Sequence, residues 1–155
     1  AKRIVVTRHK EVAEICAQQQ IPCLLHDKPY LSDTVRLGTA YIEQHLPQAE
    51  GLLFAVGDQP LLQQATLIRL ADSFSAQPQK IHRLYHENTP GNPIIFPARF
   101  ADELQQLPQD KGGSVLTKKY PELVVKVPVQ DINELLDIDT QQDKTKLERL
   151  RPYSE

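Results

Sequence analysis

The chain has 155 residues, of which 40% are apolar and 25% charged, the length and composition of one folded domain with a core of its own. Eighteen basic against twenty acidic residues give no strong field, so neither nucleic-acid binding nor adhesion to an anionic membrane is expected. The apolar runs are too short to span a bilayer and no signal peptide is recognised, which points to a cytoplasmic protein.

Ile4–Thr7 is a short β-branched run, and Lys10–Gln20 carries Val12, Ile15 and Cys16 at helical spacing, so the opening reads strand then helix. Cys23-Leu24-Leu25 is a second strand. After the polar loop His26–Tyr30, Ser32 or Asp33 is expected to cap a helix through Val35, Leu37, Tyr41 and Ile42. Leu52–Val56 is apolar on both faces, which predicts a central strand covered on both sides. Gly57 allows a sharp exit and Pro60 can open the next turn or helix, which leaves Asp58 at the carboxyl end of its strand, where open α/β sheets bind ligands.

The next helix carries Leu67, Ile68, Leu70, Ala71 and Phe74, and Ile81–Tyr85 alternates like a strand with one wetter face. His86–Pro93 is dense in turn formers and predicts a loop before a short strand Ile94–Phe96. Phe100, Leu104 and Leu107 mark a short helix, Gln109–Gly113 a loop, and Ser114 a further helix start. Leu123–Val129 is strand-like, with Pro128 favouring an edge. A polar helix follows Asp137–Thr140 and runs to about Arg149. The βα rhythm of the first half predicts an α/β fold with a mostly parallel sheet and an irregular C-terminal half.

Asp58 is the first candidate for a functional carboxylate. One carboxylate, completed by waters and substrate phosphates, is how Mg²⁺ is usually held in nucleotide enzymes; the alternative is an aspartate that hydrogen-bonds its own turn. Asp137 and Asp139 could supply a second ligand, or Asp139 or Thr140 could cap the last helix with Asp143 near its third position. The six glycines form neither GxGxxG nor GxxxxGK, and no GxSxG is present. His82 and His86 lie in a strand running into a turn, where a four-residue spacing does not build a zinc site. Cys16 and Cys23 are expected to be reduced core thiols. Lys118-Lys119 and the group Lys144, Lys146, Arg149 and Arg151 read as solvated helix faces.

Four strings in order, Val56–Leu62, Pro90–Phe96, Asp110–Gly113 and Leu136–Asp143, resemble the molybdopterin nucleotidyltransferase-like family. The likeness is to its molybdenum cofactor cytidylyltransferase branch and the molybdenum-hydroxylase accessory relatives. It covers the chain from about residue 3 to 150 and implies a three-layer α/β/α Rossmann-like fold of the nucleotide-diphospho-sugar transferase type. The implied activity is transfer of a nucleoside monophosphate from CTP or GTP to molybdopterin with release of pyrophosphate, with a molybdoenzyme as a further partner. In the roles it implies, Asp58 is the catalytic residue and, with Asp139, holds Mg²⁺. Ser32, Asp33, Thr34, Gly38 and Gly57 face the nucleotide, and Gln59, Gly91, Asn92, Lys111 and Gly112 face the acceptor.

The sequence departs from the family pattern in three places. The family's Gly-rich loop, of the form Leu-x-x-Gly-x-Ser-x-Arg-Met-Gly-x-x-Lys, has no counterpart here, Tyr30 stands where many relatives have Gly, and Asn92 where many have His. Together with the absence of any Met, the first departure leads us to expect a single nucleotidyltransferase-like domain, 1–155, without its first strand, loop and helix, and inactive in this form. The alternatives are a non-catalytic relative that binds or chaperones the cofactor, and a nucleotidyltransferase for sugar or alcohol phosphates.

Overall fold

The computed structural model describes residues 2–150; Arg151 of the basic group lies outside them. The chain divides into two compact units. One comprises residues up to Leu52 together with Phe96–Leu123, the other Leu53–Ile95 together with residues from Val124 onward.

In the first unit, β1 (Val5–Thr7) and β2 (Cys23–Leu25) pair in parallel, with Thr7 opposite Leu25, and α1 (Lys10–Gln18) connects them. Both strands therefore end side by side, and the His26 N–H extends the ladder by donating to the Thr7 carbonyl at 3.0 Å. The helix α2 (Leu31–His45) packs on β1 and on α4 (Ala101–Gln105). Gly38 makes the strand contact possible: a Cβ there would sit 3.3 Å from Val6 Cγ2. Val35, Phe96, Phe100, Leu104, Leu107 and Leu116, the last from α5 (Ser114–Lys119), form the buried apolar set. The Arg36 guanidinium ties α2 to the chain after α4 by donating to the Leu107 carbonyl at 2.6 Å. Cys16 is buried, Cys23 half-buried, and both are free thiols.

The helical spacing of Val12, Ile15 and Cys16 holds, but the buried face is narrower than the pattern implies. Only Cys16 is buried, while Ile15 is 57% exposed.

The four-stranded sheet runs in the order β3-β5-β4-β6, and the division between units cuts β3 (Gly51–Phe54) and β5 (Thr89–Pro97). In the second unit, β4 (Ile81–His86) pairs antiparallel with β5 and parallel with β6 (Val124–Pro128). The core of this unit gathers Leu70 and Phe74 of α3 (Gln64–Ala76), Leu84 of β4, Ile95 of β5, and Val127 and Val129. The polar helix α6 (Gln141–Leu150) closes the described chain. The sum is a mixed α/β fold. No helix among the described residues is long and apolar enough to cross a membrane.

Two expectations fail here. Leu52–Val56 is not a central strand: β3 stands at the end of its sheet, stops at Phe54, and leaves Leu53 46% and Val56 41% exposed. An uninterrupted apolar run does not by itself distinguish a two-faced interior strand from an edge strand. His86–Pro93 is not one long loop, since Glu87 at φ 52° turns the chain within a tight hairpin and β5 already starts at Thr89. Pro60 opens a turn, as expected, with the Leu62 N–H donating to the Gln59 carbonyl at 3.3 Å, and α3 starts at Gln64, where the buried Glu134 carboxylate accepts from the Gln63 N–H at 3.2 Å.

Candidate active site

Asp58 lies four residues beyond β3 and half-buried. Its backbone carbonyl accepts from the Ile138 N–H at 2.9 Å, a single bond that ties the Asp137-Ile138-Asp139 segment to Asp58. Gln59 adds to the join, donating from Nε2 to Asp137 Oδ1 at 2.8 Å. The result is a grouping of acidic residues with little to neutralise it. Burial pushes the Asp58 carboxyl up from its ordinary value, its own backbone N–H opposes that shift, and the charges of Asp137 and Asp139 add to it. Asp58 Oδ1 is shielded from solvent and has no hydrogen-bond partner, and Gln59 Oε1 is in the same condition. Buried polar atoms without partners are rare in folded proteins, because each forfeits its hydration.

Thr140 and Asp143 form the cap of α6. Asp143 Oδ2 accepts from the Thr140 N–H at 2.8 Å and from its hydroxyl at 2.6 Å, and the Asp143 N–H returns a bond to Thr140 Oγ1. Asp139 gives only its N–H to this box, so its carboxylate does not serve as the cap.

Beside Gln59 a cleft of about 310 Å³ is walled by Gly91, Asn92, Asn133, Asp137 and Lys146. A side chain at Gly91 would collide with Leu135, 2.6 Å from the position of its Cβ. The expected acceptor residues Gln59, Gly91 and Asn92 thus share one wall in the second unit. Lys111 and Gly112 belong to the first unit, where a Cβ at Gly112 would sit 3.1 Å from Leu31 Cδ2. Gly57 is exposed, nothing lies within 4 Å of its would-be Cβ, and its φ is not in the left-handed region.

Of the expected nucleotide-side residues, Ser32, Asp33, Thr34 and Gly38 lie on α2, although not as the spacing suggests, and Gly57 belongs to the second unit. Neither Ser32 nor Asp33 is the cap: α2 starts at Leu31 after Tyr30, and Asp33, at the third helical position, reaches back. Its carboxylate accepts from the Tyr30 N–H at 3.3 Å and pairs with Arg36 at 3.0 Å. Thr34 Oγ1 meets His26 Nε2 at 3.1 Å. Ser32 is fully buried, and its hydroxyl has no partner.

Sequence reasoning named the carboxylates, read Lys146 of the cleft wall as part of a solvated helix face, and passed over Asn133 in that wall and Arg8 and His26 beside α2. A single asparagine or lysine in a polar helix or turn carries no pattern that marks it.

Residues 1–124 match the family described as the MobA-like NTP transferase domain. The chain belongs to this family of nucleotidyltransferases. Among solved structures, this MobA-like chain is similar to Rv0371c from Mycobacterium tuberculosis H37Rv, at 25% identity and a TM-score of 0.77, over 93% of this chain and 73% of that one. A complex of that protein with manganese is similar at a TM-score of 0.67 and 22% identity, over 93% and 74% of the two chains. A nucleotidyl transferase from Methanothermobacter thermautotroptrophicus gives a TM-score of 0.77 at 20% identity, covering 96% of this chain and 72% of that one. Molybdopterin-guanine dinucleotide biosynthesis protein A from Archaeoglobus fulgidus gives 0.66 at 18%, covering 95% and 77%. These likenesses establish a Rossmann-like nucleotidyltransferase fold for the MobA-like chain. No curated protein sequence matches it.

The donor set can be tested against a divalent cation. No group of three His, Cys, Asp or Glu side chains among the described residues is placed to hold one unaided. A cation held by one or two carboxylates and completed by phosphate oxygens needs no such group. An unpartnered, shielded carboxylate oxygen with further carboxylates nearby fits that mode.

Proposed function

We propose that this nucleotidyltransferase transfers a nucleoside monophosphate, CMP or GMP, from its triphosphate to the terminal phosphate of molybdopterin, in the cytoplasm and in the service of a molybdoenzyme. In that reaction an oxygen of the acceptor phosphate attacks the α-phosphorus, the bond to the β-phosphate oxygen breaks, and pyrophosphate leaves. The observation that carries the reading is the uncompensated Asp58 carboxylate, joined through the Ile138 N–H to a segment bearing two further carboxylates.

Asp58, with Asp139 as the second ligand, would hold Mg²⁺. When bound, the ion neutralises triphosphate charge and favours in-line attack. The chain's own contribution is to position and orient. The join between Asp58 and Ile138 fixes where the two carboxylates stand, and the pair Gln59 and Asp137 holds the amide of Gln59 in the cleft wall. Gly91, kept small by Leu135, together with Asn92 lines the space we assign to the acceptor. Lys111 and Gly112 are further acceptor residues in this reading. Ser32, Thr34, Gly38 and Gly57 are its nucleotide residues, with Asp33 maintaining the α2 entry. The named relative from Archaeoglobus fulgidus supports molybdopterin as acceptor, and the manganese complex supports a divalent ion.

The test is pyrophosphate release from CTP and from GTP by the full-length protein with Mg²⁺, in the presence of molybdopterin or of an alcohol phosphate. Release that depends on molybdopterin supports the assignment. Release with the alcohol phosphate alone overturns the acceptor and retains the class.

A further inference from the structure

Strands β4 and β5 pair in two registers. His82 stands opposite Ile95 and Arg83 opposite Ile94, whereas Tyr85 stands opposite Pro90 and His86 opposite Thr89. Between these stretches β4 contributes Leu84 alone and β5 contributes Gly91, Asn92 and Pro93, so one residue is set against three. Such a bulge interrupts the ladder of hydrogen bonds and re-aims side chains on the longer strand. It falls at the cleft beside Gln59, whose wall includes Gly91 and Asn92.

A buried backbone carbonyl released from a ladder needs another donor. For the buried Gly91 that donor is Arg83, the β4 residue just before the interruption, whose Nε–H donates to the Gly91 carbonyl at 2.9 Å. Leu135 bears on the same glycine, 2.6 Å from the position of its Cβ. Pro93 is fully buried, and Asn92, between two buried neighbours, is half-buried and lines the cleft. The backbone before Asn92 is therefore fixed by a charge-assisted bond and by packing, and the backbone after it by burial. Arg83 does not line the cleft itself. Lys126 is its register partner on β6, with the ammonium 4.9 Å from the centre of the Tyr85 ring, and it does not line the cleft either.

We infer that Arg83 is a positioning residue for the acceptor: its Nε–H holds the Gly91 carbonyl at the bulge and so fixes where Asn92 stands in the cleft wall. It acts through Gly91 and Asn92 and touches no substrate. What it supplies is a donor at the ε position, and its charge serves only to strengthen that bond. The acceptor part of the inference rests on the reading of this cleft given above, while the positioning of Gly91 and Asn92 does not.

Three variants of the full-length protein test it. Arg83→Met keeps the length of the side chain to the ε position and removes the donor, Arg83→Gln keeps an N–H donor at that position without the charge, and Lys126→Met removes the neighbouring cation. In pyrophosphate release at saturating triphosphate, Arg83→Met should raise KM for molybdopterin about tenfold, with kcat and the triphosphate KM within about twofold of wild type. Arg83→Gln should restore most of the loss, and Lys126→Met should behave as wild type. An unchanged acceptor KM in Arg83→Met, an equal rise in Arg83→Gln or Lys126→Met, or kcat and both KM values moving together, as a merely structural role would give, overturns the proposal. The second readout needs no turnover: in ¹H–¹⁵N spectra of the ligand-free protein, the Gly91 N–H and the Asn92 side-chain amide should shift in Arg83→Met and hold in Arg83→Gln. If wild type releases no pyrophosphate with molybdopterin, the acceptor reading falls, and these signals alone decide the positioning role, which unmoved signals overturn. A freely exchanging Arg83 Nε–H in wild type overturns it even where Arg83→Met does not fold.

Discussion

The entry of α2 and the carboxylate site after β3 are both rich in polar side chains, yet they are built in opposite ways. At α2 the charges answer one another: Asp33 accepts from Tyr30 and pairs with Arg36, and Thr34 meets His26. Only the Ser32 hydroxyl and His26 Nδ1 are left over. At Asp58 the neighbours that matter are of the same sign, and two shielded oxygens, one on Asp58 and one on Gln59, have nothing to accept from. A satisfied set stabilises the fold, whereas an unsatisfied one costs stability and persists where a ligand completes it. Substitutions at the first should therefore be read in stability, and substitutions at the second in turnover.

The largest effect expected is that of Asp58→Ala on metal-dependent pyrophosphate release by the full-length protein, a loss of about 10²–10³-fold or more. The melting temperature should hold or rise, because a partly buried charge beside two like charges is removed. A melting temperature lowered in step with activity would erase the contrast with α2. Gly91→Ala sharpens the comparison from the cleft side. Its Cβ would stand 2.6 Å from Leu135, and such overpacking costs about 1–3 kcal/mol, measurable as a lower denaturation midpoint together with a raised KM for the acceptor.

Asp33→Ala removes the bond to the Tyr30 N–H and the pairing with Arg36. The expected cost is about 1 kcal/mol in urea unfolding. A variant that unfolds like wild type would contradict the structural role given to Asp33.

The smallest effect is a pH dependence at His82, which is fully buried between the Ser73 hydroxyl at 2.8 Å and the Gln77 carbonyl at 2.9 Å. Burial pushes its pKa down, the bond to Gln77 opposes that, and the charge of Lys80 adds to it. The ordinary value is 6.5. Below it the unfolded chain takes up a proton that the folded site resists, so stability should be level above that pH and decline as pH falls through it. His82→Gln should flatten this part of the profile.

The sequence carried much of this layout, and its failures have physical causes. The α3, α5 and α6 helices and strands β4 and β6 follow from spacing and composition, and Asp58 was legible because Gly57 and Pro60 bracket it after an apolar run. The hairpin at Glu87 was not legible. Pro90, Gly91, Asn92 and Pro93 all favour turns, yet they lie within β5, where pairing with β4 overrides local preference. Edge position was equally hidden, since Leu53 and Val56 are apolar and exposed, and no residue-level preference records which strands flank β3. The α2 cap was misplaced by two or three residues because Asp33 acts from the third helical position instead of from the cap itself.

The central claim is that Asp58 is left unsatisfied so that it can receive a divalent ion with the triphosphate. Calorimetric titration of Mg²⁺ into the full-length protein preincubated with CTP or GTP, for wild type and Asp58→Asn, tests it most directly. The account predicts a nucleotide-dependent Mg²⁺ isotherm in wild type that is lost in Asp58→Asn, with the fold of the variant intact by circular dichroism. An equal isotherm in the two proteins would contradict it.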